Sequence, residues 1–307
     1  MSAVRTKKRF RINYMRLFLM LLFIFVIAYG VYMLYIGAYE TEDTGAASPD
    51  RTGEQTEPEP PQVETAAEDE NPFALYYYYE PERQGRYESY AASHPVFAPD
   101  EVVWRVDADI DRFAYTNIST VTDFTPPVLL NKYRKLPDDY TPQNLVNTSS
   151  GQQMTQETKS AYEAMRDDAG VAGRRISAYS AYKSIEYQKG VYNKYVMENG
   201  RDAADSFSAR AGHSEHHLGT AIDLVGVAET TSSFAGTPEA EWVTENAWKY
   251  GFIIRYTAEN QDVTGYVPEP WHITYVGNDA AAAMHELGIG SLEEYTVKYV
   301  THKPKND

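Results

Sequence analysis

Cysteine is absent from the 307-residue chain. That excludes a disulfide scaffold and every thiolate metal site, so a metal here would have only imidazole and carboxylate to hold it. Positive charge is in short supply as well: 28 Lys and Arg stand against 44 Asp and Glu, a formal net charge of −16. A field of that sign repels phosphate backbones and excludes nucleic acid as a partner. No nucleotide-type glycine loop occurs, and long hydrophobic runs are missing except for one. Histidine is sparse, at seven residues. Yet His213, His216 and His217 fall together around "SEHHLGTAID", Ser214 to Asp223, where small residues lead to a carboxylate.

The one long apolar run is the uncharged stretch Leu17 to Ala38, preceded by Arg5, Lys7, Lys8, Arg9, Arg11 and Arg16. About 22 residues rising about 1.5 Å each cross a hydrocarbon core of about 30 Å. The basic cluster holds the N-terminal side in the cytoplasm. A cleaved signal peptide is the rival reading, with Ala28-Tyr29-Gly30 as a loose small-x-small site. The organisation expected is a cytoplasmic basic tail over 1–16, a single-pass transmembrane anchor over 17–38, and a disordered acidic, proline-rich linker over 39–72. An extension over 73–120 follows, opened by the run Tyr76 to Tyr79 and expected to pack on a main domain over 121–300, outside the membrane. The linker has almost no large apolar residue and cannot bury enough surface to offset its ordering entropy. Overall, 43% apolar content gives the remainder enough for a core.

Local signals predict three helices. One starts at Thr155 and stops by Gly170, with Ala161, Met165 and Ala169 on one stripe. The next runs from Ser184 to Asn199, with Ile185, Val191, Tyr192, Tyr195 and Val196 as its apolar face and Gly200 as its stop. The third has Thr237 as N-cap, Pro238 in its first turn and Gly251 past its end. Strand-like runs lie between and after them: "RRISAYS", "TAIDLV", "GFIIRY" and "WHITYV". Strands and helices at uneven spacing predict an α+β domain rather than a doubly wound one.

Alternation along "TAIDLV" puts Ala221 and Asp223 on one face and Ile222 and Leu224 on the other. A carboxylate projecting from a strand of core residues needs a partner, because burying it alone is costly. His216 lies before it, across Gly219, where a turn can fold it back. In "EPWHITYVG", Pro270 excludes a helix, which leaves Glu269 on a loop and His272 on a strand with Thr274 and Val276 on its face. Two histidines and an aspartate are the three protein ligands of a catalytic zinc whose fourth position is left for water. A glutamate three residues from a ligand is what metal-assisted hydrolysis needs as general base.

The pattern Ser-x-His-x-x-Gly-x-Ala-x-Asp (Ser214, His216, Gly219, Ala221, Asp223), followed by Glu-x-Trp-His (Glu269, Trp271, His272), resembles the VanY-type zinc D-alanyl-D-alanine carboxypeptidases. The similarity extends to "NKYRKLPDDYTPQNL" (131–145), "SAYSAYKSIEYQ" (177–188), "WKYGFIIRY" (248–256) and "YVG" after the last ligand, over roughly residues 120 to 280. The resemblance implies a small antiparallel sheet flanked by helices, of the D,D-peptidase and Hedgehog-like kind. It implies Zn2+ on His216, Asp223 and His272, and Glu269 as catalytic base. It marks Ser180, Gln188, Ser214 and Arg255 as substrate-binding candidates, with peptidoglycan stem peptides as substrate. His213 and His217 are expected behind the ligands or exposed, since the glutamate of "HSEHH" is at the wrong offset for a His-Glu-x-x-His helix.

Two departures stand out. The family segment set against "SAYSAY" usually reads Ser-Gly-Tyr-Arg-Ser, and that comparison puts Ser180 where an arginine is expected to meet the substrate carboxylate or developing oxyanion. Thr274 stands where relatives commonly carry another arginine. Serine cannot supply a bidentate, permanently charged fork. A compensating cation from Arg255, Arg210 or Lys183 is one answer; a peptidoglycan-peptide binder without turnover is another. The leading expectation is a zinc carboxypeptidase that removes the C-terminal D-amino acid, with D,D and L,D cleavage left open.

Overall fold

The computed structural model describes residues 71–302. The basic tail, the apolar run and nearly all of the acidic linker therefore lie outside the described residues. Among the described residues no helix is long and apolar enough to cross a membrane.

The extension carries helices α1 (Gln84–Ser93) and α2 (Pro99–Asp107). Phe73, Tyr78, Tyr87, Val103 and Trp104 share one buried cluster with Val263 and Val297, so this segment packs on the rest of the chain through side chains far away in sequence. The tyrosine run serves that packing. Tyr77 donates to the Lys298 carbonyl and Tyr78 bonds to Asp100.

The three predicted helices are present: α3 (Gln156–Val171), α4 (Ile185–Asn199) and α5 (Pro238–Asn246). Each is started by the hydroxyl that the sequence places there, with Thr155, Ser184 and Thr237 accepting from the backbone N–H of Thr158, Tyr187 and Ala240. α5 ends earlier than expected, because a 3-10 turn over Ala247–Tyr250 covers the distance to Gly251. α4 differs more. The five residues expected to form its apolar face are only half-buried, and its one fully buried residue is the polar Gln188. The helix lies along the rim of a cleft rather than on a core.

Four short strands form the central sheet: β1 (Ser177–Ser180), β2 (Ala221–Val225), β3 (Phe252–Ile254) and β4 (His272–Tyr275). The order is β1-β2-β4-β3 and every pairing is antiparallel. A helix α6 (Asn278–Leu287) follows β4. One face of the sheet is dry: Ile222, Leu224 and Ile273 pack with Met165 of α3, Val243 of α5 and Phe252. Register decides what the other face carries. Ser180 pairs with Asp223 and Asp223 with His272, so a carboxylate and an imidazole from distant segments stand side by side. Residues directly opposite on antiparallel strands share a face, about 5 Å apart.

Candidate active site

His216 reaches this face from a 3-10 turn, Glu215–Leu218, capped by Ser214, whose hydroxyl accepts from the His216 N–H at 3.4 Å. Gly219 ends the turn in the left-handed region (φ 73), where a Cβ would sit 2.8 Å from Leu145 Cδ2. The positive φ favours glycine, any side chain would also have to displace Leu145, and the reversal sends the chain straight into β2 and Asp223.

The three side chains named from the sequence converge. One ligand atom from each of His216, Asp223 and His272 lies within 4.8 Å of the others, and all three residues are buried. His216 Nε2 is 3.3 Å from Asp223 Oδ2, and His272 Nδ1 is 3.3 Å from Asp223 Oδ1. Bonds of about 2.0 Å at a tetrahedral angle place donor atoms about 3.3 Å apart, so spacing and donor chemistry fit a zinc-type divalent cation. The tautomer of His216 fits too: its Nδ1 lies 2.6 Å from the Ala181 carbonyl and donates to it, which leaves the Nε2 lone pair facing the centre.

Electrostatics follow from burial and these neighbours. Burial pushes His216 down to about 4, assisted by the Lys183 ammonium. Burial alone would lower His272 as well, but Asp223, Glu215 and Glu269 outweigh it and lift this imidazole to about 9. Burial opposes ionisation of Asp223, yet the two imidazoles and Lys183 hold its carboxyl well below the usual range. Glu269 sits on the loop before β4, tied by its N–H to the Tyr256 carbonyl, with Oε2 at 3.6 Å from His272 Nδ1. Burial raises its carboxyl to about 7, partly offset by His272.

These groups line a cleft of 590 Å³, together with Ser180, Lys183, Gln188, Ser214 and Trp271. A larger hollow of 680 Å³, beside Phe124, Tyr140 and Leu218, touches none of the three ligand side chains. The chemistry therefore belongs to the smaller space. Of the substrate candidates, Ser180, Ser214 and Gln188 are on the cleft wall, although the Gln188 amide is spent on Ala209 and Ser208. Arg255 is not on it. Its guanidinium is 1% exposed and paired to Glu215 and Glu293, so its expected part in substrate binding is corrected to a buried ion pair. His213 and His217 are buried rather than exposed, bonded through Nδ1 to the carbonyls of Asn131 and Lys183. His217 Nε2 accepts from the Gly212 N–H, which fixes it as a neutral structural residue.

The cation that reading from Ser177 finds missing is present three residues on. Lys183 Nζ stands 2.9 Å from Asp223 Oδ2 at the cleft, and its carbonyl is clamped by His217. The tripeptide Ser-Ala-Tyr occurs twice, at 177–179 and 180–182. Set from Ser180, the Ser-x-Tyr-cation-Ser pattern ends in Lys183 and Ser184, and Ser180 ceases to be the anomalous position. Thr274, the other departure, is buried and donates to Glu215 Oε2 at 2.6 Å. The cation for that carboxylate arrives from Arg255, just past β3.

A profile described as VanY, D-alanyl-D-alanine carboxypeptidase, matches residues 151–278. The putative carboxypeptidase YodJ of Bacillus subtilis (strain 168) is 35% identical over 182 residues, covering 55% of this chain and 66% of that relative. The chain thus spans slightly less than two thirds of this curated relative's length. Among solved structures, the LdcB LD-carboxypeptidase is 32% identical with a TM-score of 0.54, over 59% of this chain and 90% of that one. A vancomycin-resistance D,D-pentapeptidase VanY variant in complex with Zn(II) is 30% identical with a TM-score of 0.50, over 55% and 97%.

Proposed function

We propose, from the premise that the chain belongs to the VanY family of D-alanyl-D-alanine carboxypeptidases, that it is a zinc carboxypeptidase trimming the C-terminal D-amino acid from peptidoglycan stem peptides. The observation that carries this reading is the convergence of His216, Asp223 and His272 on one cleft with Glu269 beside them. A zinc ion held there supplies Lewis acidity to the scissile carbonyl and lowers the pKa of a water from about 15.7 to about 7.

The chain's own residues do the rest. Glu269 takes the proton of the attacking water and hands it to the leaving amine. Lys183 gives the cleft its nearby positive charge for the substrate's terminal carboxylate. The alternative of a binder without turnover loses its footing, because it rested on a cation being absent. The domain is proposed to work outside the cytoplasmic membrane, tethered by the run over 17–38, since its substrate is outside. Protease accessibility on intact cells tests that placement.

The direct experiment incubates the zinc-loaded chain with a pentapeptide ending in D-Ala-D-Ala and, separately, with the tetrapeptide. D-Ala released from the first marks D,D cleavage. Release from the second marks L,D cleavage; solved structures of both kinds are matched over nearly their whole length. Release from neither rejects the proposal.

Lys183→Ala is expected to lower kcat/KM about 10- to 100-fold, because a charge-assisted hydrogen bond contributes about 1.5–3 kcal/mol. Lys183→Arg is expected to keep most of the rate. Equal kinetics for wild type and Lys183→Ala would remove lysine from the mechanism.

A further inference from the structure

We infer that Glu215 is the positioning residue of the ligand His272, and that Arg255 holds it in place, itself anchored by Glu293 from outside the family match; this rests on the zinc reading above. The ring nitrogens of His272 face opposite ways. Nδ1 looks toward Asp223 and Glu269. Nε2 is buried, has no hydrogen-bond partner, and faces Glu215 Oε2 at 3.8 Å. A metal-binding imidazole normally donates its second N–H to a carboxylate or carbonyl, which sets both tautomer and ring angle. His216 has Ala181 for that purpose. For His272 the polar group standing in that direction is Glu215.

Glu215 itself is 1% exposed and cannot wander. Oε1 accepts from Arg255 Nε at 2.7 Å and Oε2 from the Thr274 hydroxyl at 2.6 Å. Arg255 in turn donates to both oxygens of Glu293, at 2.8 and 3.0 Å, and Glu293 also accepts from Asn131 Nδ2 at 3.3 Å. Two carboxylates therefore share one guanidinium, leaving an excess of buried negative charge directly behind His272. As a device for stability this is poor, because desolvation of buried ions rivals their attraction and apolar replacements are often as stable. As a means of aiming a ligand and offsetting a divalent cation across the ring, the array has a use. Asn131 and Glu293 lie outside residues 151–278, so the metal centre depends on both flanks of the matched segment.

Zinc affinity, measured by chelator competition on the full chain, gives a readout apart from turnover. Glu215→Gln keeps an oxygen for the Nε2–H and is expected to bind zinc about 10-fold more weakly than wild type. Glu215→Ala is expected to lose nearer 100-fold, the range typical of such outer-shell partners. The visible spectrum of the cobalt-substituted variants is expected to change, reporting a displaced imidazole, which a purely structural role would not produce. Circular dichroism of the metal-stripped proteins checks folding. If the Glu215 variants do not fold, Glu293→Gln leaves the Arg255–Glu215 pair intact and is expected to weaken zinc in the same direction by less. Wild-type affinity and cobalt spectrum in the folded variants overturn the inference. A wild-type chain that binds no zinc overturns it together with the zinc assignment itself.

Discussion

Glu269→Gln is expected to lower kcat by about 10²- to 10⁴-fold, the range contributed by a positioned general base, with zinc content unchanged. The amide keeps the volume of the side chain on its loop and lacks only the ability to take a proton. The Glu269 carboxylate lies 3.6 Å from His272 Nδ1 and does not belong to the group of three ligands, so its neutral replacement leaves those ligands in place. Metal analysis beside steady-state kinetics checks both halves, and a variant that keeps wild-type turnover would remove Glu269 from the chemistry. The same residue sets a pH dependence. Burial raises its carboxyl to about 7, and the base works only when ionised, so kcat/KM climbs as pH rises through that region and falls below it. A bound cation moves the limb to lower pH without changing its sign. A profile flat across about pH 5 to 8 counts against this assignment.

Asp223→Ala has the other large effect: loss of zinc and a fall in kcat/KM of about 10³-fold or more, since several kcal/mol of charge stabilisation leave with the metal. Asp223 is the hub of the site. His216, His272 and Lys183 all stand within 3.3 Å of its two oxygens, and these neighbours, Lys183 and His272 carrying the positive charge, hold its carboxyl ionised against burial. Removing it also deletes the one anionic ligand and leaves the Lys183 ammonium without its partner, which disfavours a cation at the two imidazoles that remain. Atomic absorption on the purified variant and a D-Ala release assay read the two outcomes. Retention of one zinc per chain with unimpaired turnover would show that the ion sits elsewhere.

The local half of the architecture was legible because its causes are local. Thr155, Ser184 and Thr237 begin helices by bonding N–H groups three residues ahead, and Gly219 reverses the chain because of its own dihedral. Alternation in β2 placed Asp223 on the opposite face from Ile222 and Leu224 before any pairing was known. The site misreadings had a different origin. Ser180 looked anomalous because a duplicated tripeptide allows two registers, and no local feature chooses between them. The apolar face expected on α4 is mostly rim, since periodicity tells which residues share a side but not what that side meets.

The sequence by itself determined the donor chemistry of this protein: no thiolate, two imidazoles and an aspartate in spaced motifs, a glutamate three residues before the last of them, and a glycine where the chain can turn between His216 and Asp223. Tertiary structure decided which charges serve that centre. Lys183 rather than Arg255 faces the cleft, and Arg255 is buried between Glu215 and Glu293. The reason is one of range. Caps, turns and alternation act over three or four residues, whereas Arg255 meets its carboxylates 40 and 38 residues away and Lys183 meets Asp223 40 residues away, through strand register and packing that arise only once the whole chain has folded.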